Sequence, residues 1–471
     1  MNKIREQFQR EEEKIKEVQQ DAWRLKYHLM PPVGWLNDPN GLCQYQGIYH
    51  IFYQYAPQQA NGKALKGWGH YTTKDFLHYQ KQPTALYPDQ SIDRDGAYSG
   101  CAFVKQNQIQ FFYTGNIKFE GEYDYINEGR GHYVNTFLSR DGFNFGEKKN
   151  LLKNEDYPDD LSCHVRDPKI YEEDGMYYMI LGARTKQSVG CVIIYQSNDL
   201  EYWHYYTRLK TKTPFGYMWE CPDFFELNQQ KILMTCPQGL KQEGYHYENV
   251  YANGYFLVEG TMDHLQLGQF QELDYGFDFY APQTFLDQQQ RRILIGWMGL
   301  PDIPYTNPTI ANGWQHALTL PRVLTLKNNH IHQYPLEEIL AARQLQKSFN
   351  ILKNQTYHYT SVVCQCHLHS LTNKWNITLR EDIQLSYHNQ LLTLTMKKSG
   401  YGRDVRHVEI ESIQEIDIFS DTSSLEIFIN HGEYVLSSRV YDDMKDICLA
   451  VDCDCHLDIY DMPHFTYDSV H

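Results

Sequence analysis

The sequence predicts an all-β protein, a five-bladed β-propeller followed by a C-terminal antiparallel β-sandwich, with a short N-terminal helix. Two observations carry this prediction: a hairpin-like unit recurs five times through the first two thirds of the chain, and beyond it the texture changes to evenly alternating strands. The recurring units are "NDPNGLCQYQGIYHIFYQY" from Asn37, "YSGCAFVKQNQIQFFYTG" from Tyr98, "RDPKIYEEDGMYYMILGA" from Arg166, "ECPDFFELNQQKILMTCPQG" from Glu220 and "APQTFLDQQQRRILIGWMG" from Ala281. Each has a small or polar opening, a short strand, a polar turn and a second strand rich in β-branched and aromatic residues. "YTTKDFLHY" (Tyr71 to Tyr79), "FLSRDGFNF" (Phe137 to Phe145) and "YQSNDLEYW" (Tyr195 to Trp203) follow three of these hairpins and share a Ser or Thr, an Asp turn and a closing aromatic. Successive openings lie roughly 50 to 70 residues apart, which suits a four-stranded blade with long connections. A sandwich with fortuitous similarity would show no fixed order of elements within each repeat.

Taken in order, residues 1–26 form a charged extension read as a polar surface helix, with Ile4, Phe8, Ile15 and Val18 as a sparse apolar stripe. Residues 27–334 supply the propeller. Pro335 opens a helix, "PLEEILAARQLQ", in a linker over 335–349. Residues 350–471, with "HYTSVVCQCHLH", "IQLSYHNQLLTLTMKK" and "SLEIFINHGEYVLSSRVY", read as the sandwich.

The chain has 471 residues and a formal charge of -16, from 43 Lys and Arg against 59 Asp and Glu, with no block of positive charge. Nucleic acid and anionic membrane are therefore excluded as expected partners. No apolar run approaches the roughly 20 residues that span a bilayer. The N-terminal segment lacks the apolar centre of a secretory signal, and the eleven cysteines are an odd number, so a cytoplasmic protein with reduced thiols is expected. "CQCHLH" (Cys364 to His369) and "CDCHL" (Cys453 to Leu457) superficially resemble metal-ligand clusters. Both follow the period-two alternation of a strand and lack C-x2-C spacing, so they are read as structural, with no metal.

In a propeller the first strand of each blade lines the central channel, so Asp38, Ser99, Asp167, Glu220 and Gln283 are expected to face one another. This arrangement gathers three carboxylates in one funnel. Cleavage of a glycosidic bond needs a proton on the leaving oxygen and negative charge near the anomeric carbon, and two carboxyl groups in opposite protonation states supply both. Asp38, in the apparent turn "WLNDPNG", is expected to stay ionised as nucleophile. Glu220, among Trp219, Phe224 and Phe225, is expected to hold a proton as general acid, and Asp167 to remain ionised beside Arg166. Singly, each acid reads as an ordinary turn or ion-pair residue; their shared place at repeat openings favours a functional role.

"WLNDPNG", "FYQY", "YSG", "RDPK", "WECPDFF", "GFDFYAPQTF", "ILIGWMG" and "GWQHALTLPR" occur in the order found in glycoside hydrolase family 32, which the chain resembles from about Tyr27 to near the C-terminus. Its intracellular sucrose-6-phosphate hydrolases and invertases are the particular likeness. The resemblance implies a five-bladed propeller joined to a sandwich, retaining hydrolysis of β-fructofuranosides and no cofactor. It implies Asp38 as nucleophile, Glu220 as acid/base and Asp167 as transition-state stabiliser. By the same matching Asn37, Gln54, Tyr98, Ser99, Arg166 and Trp297 line a fructose subsite. The chain departs from the pattern before "WGH", where Ala60, Asn61 and Gly62 stand in the region of a tryptophan found in many relatives, leaving Trp68 as the candidate to replace it.

The expected partner is a small sugar: sucrose 6-phosphate, sucrose or a short fructan. A phosphate approaching a protein of charge -16 requires local cations or backbone donors, and Lys63, Lys66, Arg130 and His132 are the candidates. A general β-fructofuranosidase acting on short fructooligosaccharides is the alternative. An inverting glycosidase, a non-catalytic sugar-binding propeller and a scaffold for protein partners are further readings.

Overall fold

The computed structural model describes residues 2–469. Five antiparallel sheets follow one another along the chain. Their inner strands are Gly34–Tyr45, Ala97–Lys105, Leu161–Glu173, Met218–Leu227 and Tyr280–Leu286, each hydrogen-bonded to the next strand in sequence. These are five propeller blades, and the inner strands coincide with the recurring openings read from the sequence.

The repeat is physical as well as textual. In all five inner strands the ladder slips where the strand enters the funnel, between Leu36 and Pro39, Ala97 and Gly100, Lys169 and Arg166, Glu220 and Asp223, and Tyr280 and Gln283. A bulge leaves one residue unpaired and re-aims its side chain. In four blades proline helps make the irregularity, because it contributes no ladder N–H: Pro39, Pro168, Pro222 and Pro282. "WLNDPNG" is thus a bulged strand instead of the expected turn. Its Gly41, at φ +54°, could not be replaced without a Cβ 3.0 to 3.2 Å from the rings of Phe52, Phe111 and Trp68.

Outer turns repeat too. Phe76, Gly142 and Leu200 donate their backbone N–H to Thr73, Ser139 and Ser197 hydroxyls at 2.9, 2.9 and 3.0 Å, while Asp75, Asp141 and Asp199 each accept two N–H groups further on. A fourth copy, Thr261 with Asp263 at 2.5 Å, lies in the fourth blade between strands Gly254–Glu259 and Gln266–Glu272.

Apolar clusters fill the gaps between blades, with Trp68, Phe111 and Phe137 between the first and second, and Trp219, Phe224 and Phe256 between the third and fourth. The ring closes where Trp314–Gln315 pairs in parallel with Gly34 and Trp35. The N-terminal segment splits into helices Asn2–Glu12 and Ile15–Val18. Phe8 is fully buried against Tyr55 and Tyr87, a firmer docking than a polar surface helix implies.

The sandwich consists of two six-stranded sheets. The helix read from Pro335 is only Glu337–Ala342, and Gln344–Ile351, placed with it in the linker, is a strand of the first sheet paired to Cys455–Asp461. Arg343 adopts an extended backbone and ends the helix. Strand Thr466–Ser469 leaves the sandwich and pairs in parallel with His78–Lys81 of the first blade.

Sandwich and propeller share a buried ionic junction. His28 places Nδ1 2.8 Å from Asp421 and Nε2 2.8 Å from Glu426, and all three side chains are wholly buried. Carboxylates accept and cannot donate, so both ring nitrogens donate and His28 is an imidazolium. Glu426 also binds Arg322, whose guanidinium reaches Asp274 at 3.2 Å and Ser437 at 2.6 Å. Among the described residues every cysteine is free, and no helix is long and apolar enough to cross a membrane.

Candidate active site

The inner strands bring Asp38, Asp167 and Glu220 together from the first, third and fourth blades around Cys221. The Cys221 Sγ lies 3.6 Å from Asp38 Oδ2 and 3.7 Å from Asp167 Oδ2, and its backbone N–H donates to Asp167 Oδ2 at 2.9 Å. Burial, with the neighbouring carboxylates adding, pushes the thiol pKa well up, so it stays protonated and donates. Cys221 precedes Pro222 as Asp38 and Asp167 precede Pro39 and Pro168. The thiol therefore occupies the repeat position held elsewhere by an acid, and Glu220 reaches the funnel from one residue earlier.

Besides the thiol, Asp38 accepts from Asn37 Nδ2 at 3.0 Å, Ser99 Oγ, and Gln54 Nε2 at 3.4 Å, with Gln54 also holding Ser99 at 2.5 Å. Burial raises its pKa, and Glu220 adds to the rise, while Ser99 and Asn37 oppose it. These hydrogen bonds, and not solvation in a polar turn, are what offset part of the cost of its charge.

Asp167 differs more from expectation. Burial pushes its pKa up to about 7, with Arg166 opposing and Glu220 and Asp38 reinforcing. Arg166 approaches Asp167 only to 3.9 Å; it instead forks onto Glu220 Oε1, with Nε at 3.1 Å and Nη2 as the second donor. Asp167 sits at φ +62°, an uncommon backbone for a non-glycine residue, with its N–H held by Thr114 Oγ1 at 2.9 Å. The bulge that turns its side chain inward explains why adjacency to Arg166 does not make a tight pair.

Glu220 Oε2 accepts from Gln238 Nε2 and the Tyr280 hydroxyl, both at 2.7 Å. Its surroundings are polar, unlike the apolar pocket expected from Trp219, Phe224 and Phe225. Those three alternate away into the spaces between blades. Tyr280 and Gln238 were missed by sequence reasoning, yet Tyr280 stands before Ala281-Pro282 as Glu220 stands before Cys221-Pro222. His164 was missed as well; its Nδ1 lies 2.7 Å from Arg166 Nη1, and burial lowers its pKa to about 3, so it accepts from the guanidinium.

Trp297 forms one wall with Trp35, their rings 5.9 Å apart, and Trp35 Nε1 donates to Asn37 Oδ1 at 2.6 Å. Trp68 is not part of that wall. It is wholly buried between the first two blades, where its Nε1 donates to the Tyr98 carbonyl at 3.0 Å. Tyr98 is half-buried, with its ring 5.9 Å from His132. Gln283 lies in the channel floor, where its amide donates to Gly100 O at 3.0 Å, alongside the Lys169 to Asp223 ion pair at 3.1 Å.

Of the candidate cations, Lys63 is exposed, while Lys66 donates to Gly62 O at 2.8 Å and sits 5.8 Å from the Trp35 ring. Arg130 is half-buried. His132 is fully buried, and burial, with Arg166 and His164 adding, holds its pKa well below the imidazole range. It is neutral and supplies no positive charge.

The family model described as the glycosyl hydrolases family 32 N-terminal domain matches residues 28–335, and that for the family 32 C terminal matches 372–452. The chain belongs to glycoside hydrolase family 32. It is accordingly a glycoside hydrolase. It is 38% identical to a sucrose-6-phosphate hydrolase of Bacillus subtilis, covering 93% of each, and 34% identical to a raffinose invertase of Escherichia coli, covering 91% of this chain and 92% of that one. Among solved structures it resembles a family 32 β-fructofuranosidase of Bombyx mori, at 28% identity, TM-score 0.87 and 99% coverage of both chains. A sucrose-6-phosphate hydrolase of Lactobacillus gasseri aligns with TM-score 0.87 at 27% identity over 96% of each.

Proposed function

We propose that the protein hydrolyses the β-fructofuranosidic bond of sucrose 6-phosphate, and of sucrose, by two displacements that retain configuration. The observation carrying this reading is the convergence of Asp38, Asp167 and Glu220 on Cys221, each carboxylate held by its own donors. A purely sugar-binding propeller gains nothing from three mutually repelling acids crowded at one funnel. The curated relatives named above support the substrate class.

Asp38 attacks the anomeric carbon of fructose and forms a covalent glycosyl-enzyme. Glu220 protonates the departing glucosyl oxygen and then deprotonates the incoming water. Arg166, Tyr280 and Gln238 orient its two oxygens for those successive roles. Asp167 binds fructose hydroxyls, with Asn37, Gln54, Tyr98, Ser99 and Arg166 completing the subsite and Trp297 with Trp35 closing it against water. Glu220→Gln should lower kcat by roughly 10²- to 10⁴-fold, the usual contribution of a general acid. Steady-state rates across pH check this, and an unaltered rate and profile would assign the acid role elsewhere.

Stereochemistry tests the double displacement. Fructose should appear first as the β-anomer, seen by NMR at early times; the opposite anomer would indicate direct attack by water.

The phosphorylated substrate suits a cytoplasmic enzyme meeting a sugar phosphorylated on entry. Lys63, Lys66 and Arg130 are the cations that would receive the phosphate outside the fructose subsite. The kcat/KM should be higher for sucrose 6-phosphate than for sucrose. Equal values at low salt would leave a general β-fructofuranosidase.

A further inference from the structure

The two Cys/His segments set aside in the sequence are neighbouring antiparallel strands of the sandwich. Strand Cys364–His369 pairs with Cys455–Asp461, so that His367 lies opposite Asp458 and His369 opposite His456. Alternation divides their side chains. Cys364, Cys366, Leu368, Cys455 and Leu457 point into the core, and His367, His369, His456 and Asp458 lie together on the outer face, only partly buried.

We propose that this face is a binding site for a divalent transition-metal ion of the zinc class, with His367, His369 and Asp458 as ligands and His456 as the neighbouring fourth donor. One ligand atom from each of the first three lies within 4.8 Å of the other two. Tetrahedral zinc with bonds of about 2.0 Å brings its ligands to about 3.3 Å from one another, a separation that side-chain rotation reaches from here. The His369 and His456 rings are 4.6 Å apart, and His456 Nε2 is 3.2 Å from Asp458 Oδ1.

The outer hydrogen bonds already resemble those around a bound metal. His367 Nδ1 lies 2.8 Å from Asp417 Oδ1, His456 Nδ1 2.8 Å from Asn350 Oδ1 and His369 Nδ1 3.2 Å from Ser370 Oγ. In His367 and His369 that contact engages Nδ1 and leaves Nε2 as the donor atom for a metal, whereas His456 Nε2 meets Ser348 Oγ at 3.0 Å and Asp458 Oδ1 at 3.2 Å and would exchange those contacts for the ion. A carboxylate behind a ligating imidazole fixes its tautomer and direction. Asp417 is itself held by Gln365 at 2.7 Å and by the hydroxyl of Tyr334, from the last propeller strand, at 2.6 Å. A metal here would therefore tie two sandwich strands to a residue that also touches the propeller. Two imidazoles with a carboxylate favour zinc, copper or nickel over calcium or magnesium, which prefer all-oxygen shells.

The test uses the full chain, stripped with chelator and dialysed, titrated with Zn²⁺ by calorimetry and with Co²⁺ by visible absorption. One equivalent of Zn²⁺ should bind, Co²⁺ should give ligand-field bands, and Zn²⁺ should raise the unfolding temperature. His369→Gln should weaken binding at least tenfold and remove the thermal shift, with unchanged sugar hydrolysis reporting an intact fold. Asp458→Asn should behave likewise and serves if His369→Gln does not fold. Absence of stoichiometric binding by the parent, or undiminished binding by either folded variant, would overturn the proposal.

Discussion

Asp38→Asn is expected to reduce kcat by roughly 10⁴-fold or more, equivalent to at least about 5.5 kcal/mol of barrier, while leaving a folded protein. An amide has nearly the shape of a carboxylate but is no nucleophile toward an anomeric carbon. The side chain is only half-buried at the funnel, and Asn can still accept one hydrogen bond from Asn37 Nδ2 or Ser99 Oγ. Turning its NH₂ toward those donors disturbs the site locally and leaves the blade cores untouched. Circular dichroism and sucrose turnover measured on the same preparation decide the matter: a folded variant within tenfold of the parent would remove Asp38 from the role of nucleophile.

Glu426→Gln should bring the largest loss of stability, about 3 to 5 kcal/mol, because it leaves buried cations short of a counter-charge. Glu426 accepts from His28, from Arg322 and from the Leu320 N–H at 2.8 Å. A neutral amide cannot satisfy three donors. Urea unfolding with an unchanged midpoint would sink this assignment. The junction also sets a pH window. Burial opposes the charge of Asp421 and of Glu426, but His28 and the nearby donors, with Arg322 for Glu426, outweigh it and lower both pKa values. Their contribution is complete above the ordinary glutamate value of 4.5 and is lost as pH falls through the depressed folded values. Burial likewise opposes the charge on His28, and its two carboxylate bonds overcome it and raise its pKa. That contribution is complete below the ordinary imidazole value of 6.5 and is lost as pH rises through the raised folded value. The junction should be tightest between about 4.5 and 6.5 and weaker on either side.

The repeat was legible because each blade must repeat the same physical task, a bulged inner strand, a hairpin and a capped outer turn. The fourth capped turn escaped notice because no closing aromatic follows Thr261 and Asp263 as Tyr79, Phe145 and Trp203 follow the others. Individual acids were legible from their place at the openings. Their partners were not, because a bulge breaks the two-residue period on which side-chain direction is read. Arg166 thus faces Glu220 from another blade instead of its sequence neighbour, and Trp68 turns into the gap between blades. Tyr280 reaches Glu220 from the fifth blade, and short-range pattern carries no sign of that; Gln238 comes from the next strand of Glu220's own blade and His164 from two residues before Arg166, contacts that the same bulges hide.

The ring closure has a mechanical meaning. Asp38, Asp167 and Glu220 stand on different blades, so their separations are chords of a circle, and chords keep their length only while the circumference does. At the seam the backbone pairs Gly34 with Trp314 and Trp35 with Gln315, and the Leu318 N–H donates to Leu29 O at 2.8 Å. Side chains of the first and fifth blades meet there too, Trp35 against Trp297 and Tyr49 with Arg291 at 3.2 Å, and further hoop strength comes from outside the ring, through the His28, Arg322 and Glu426 junction and the strand at Thr466–Ser469 laid against the first blade. The sandwich therefore acts as a clamp that holds a tolerance, and slackening it would blur the spacing of the three acids before any blade came apart.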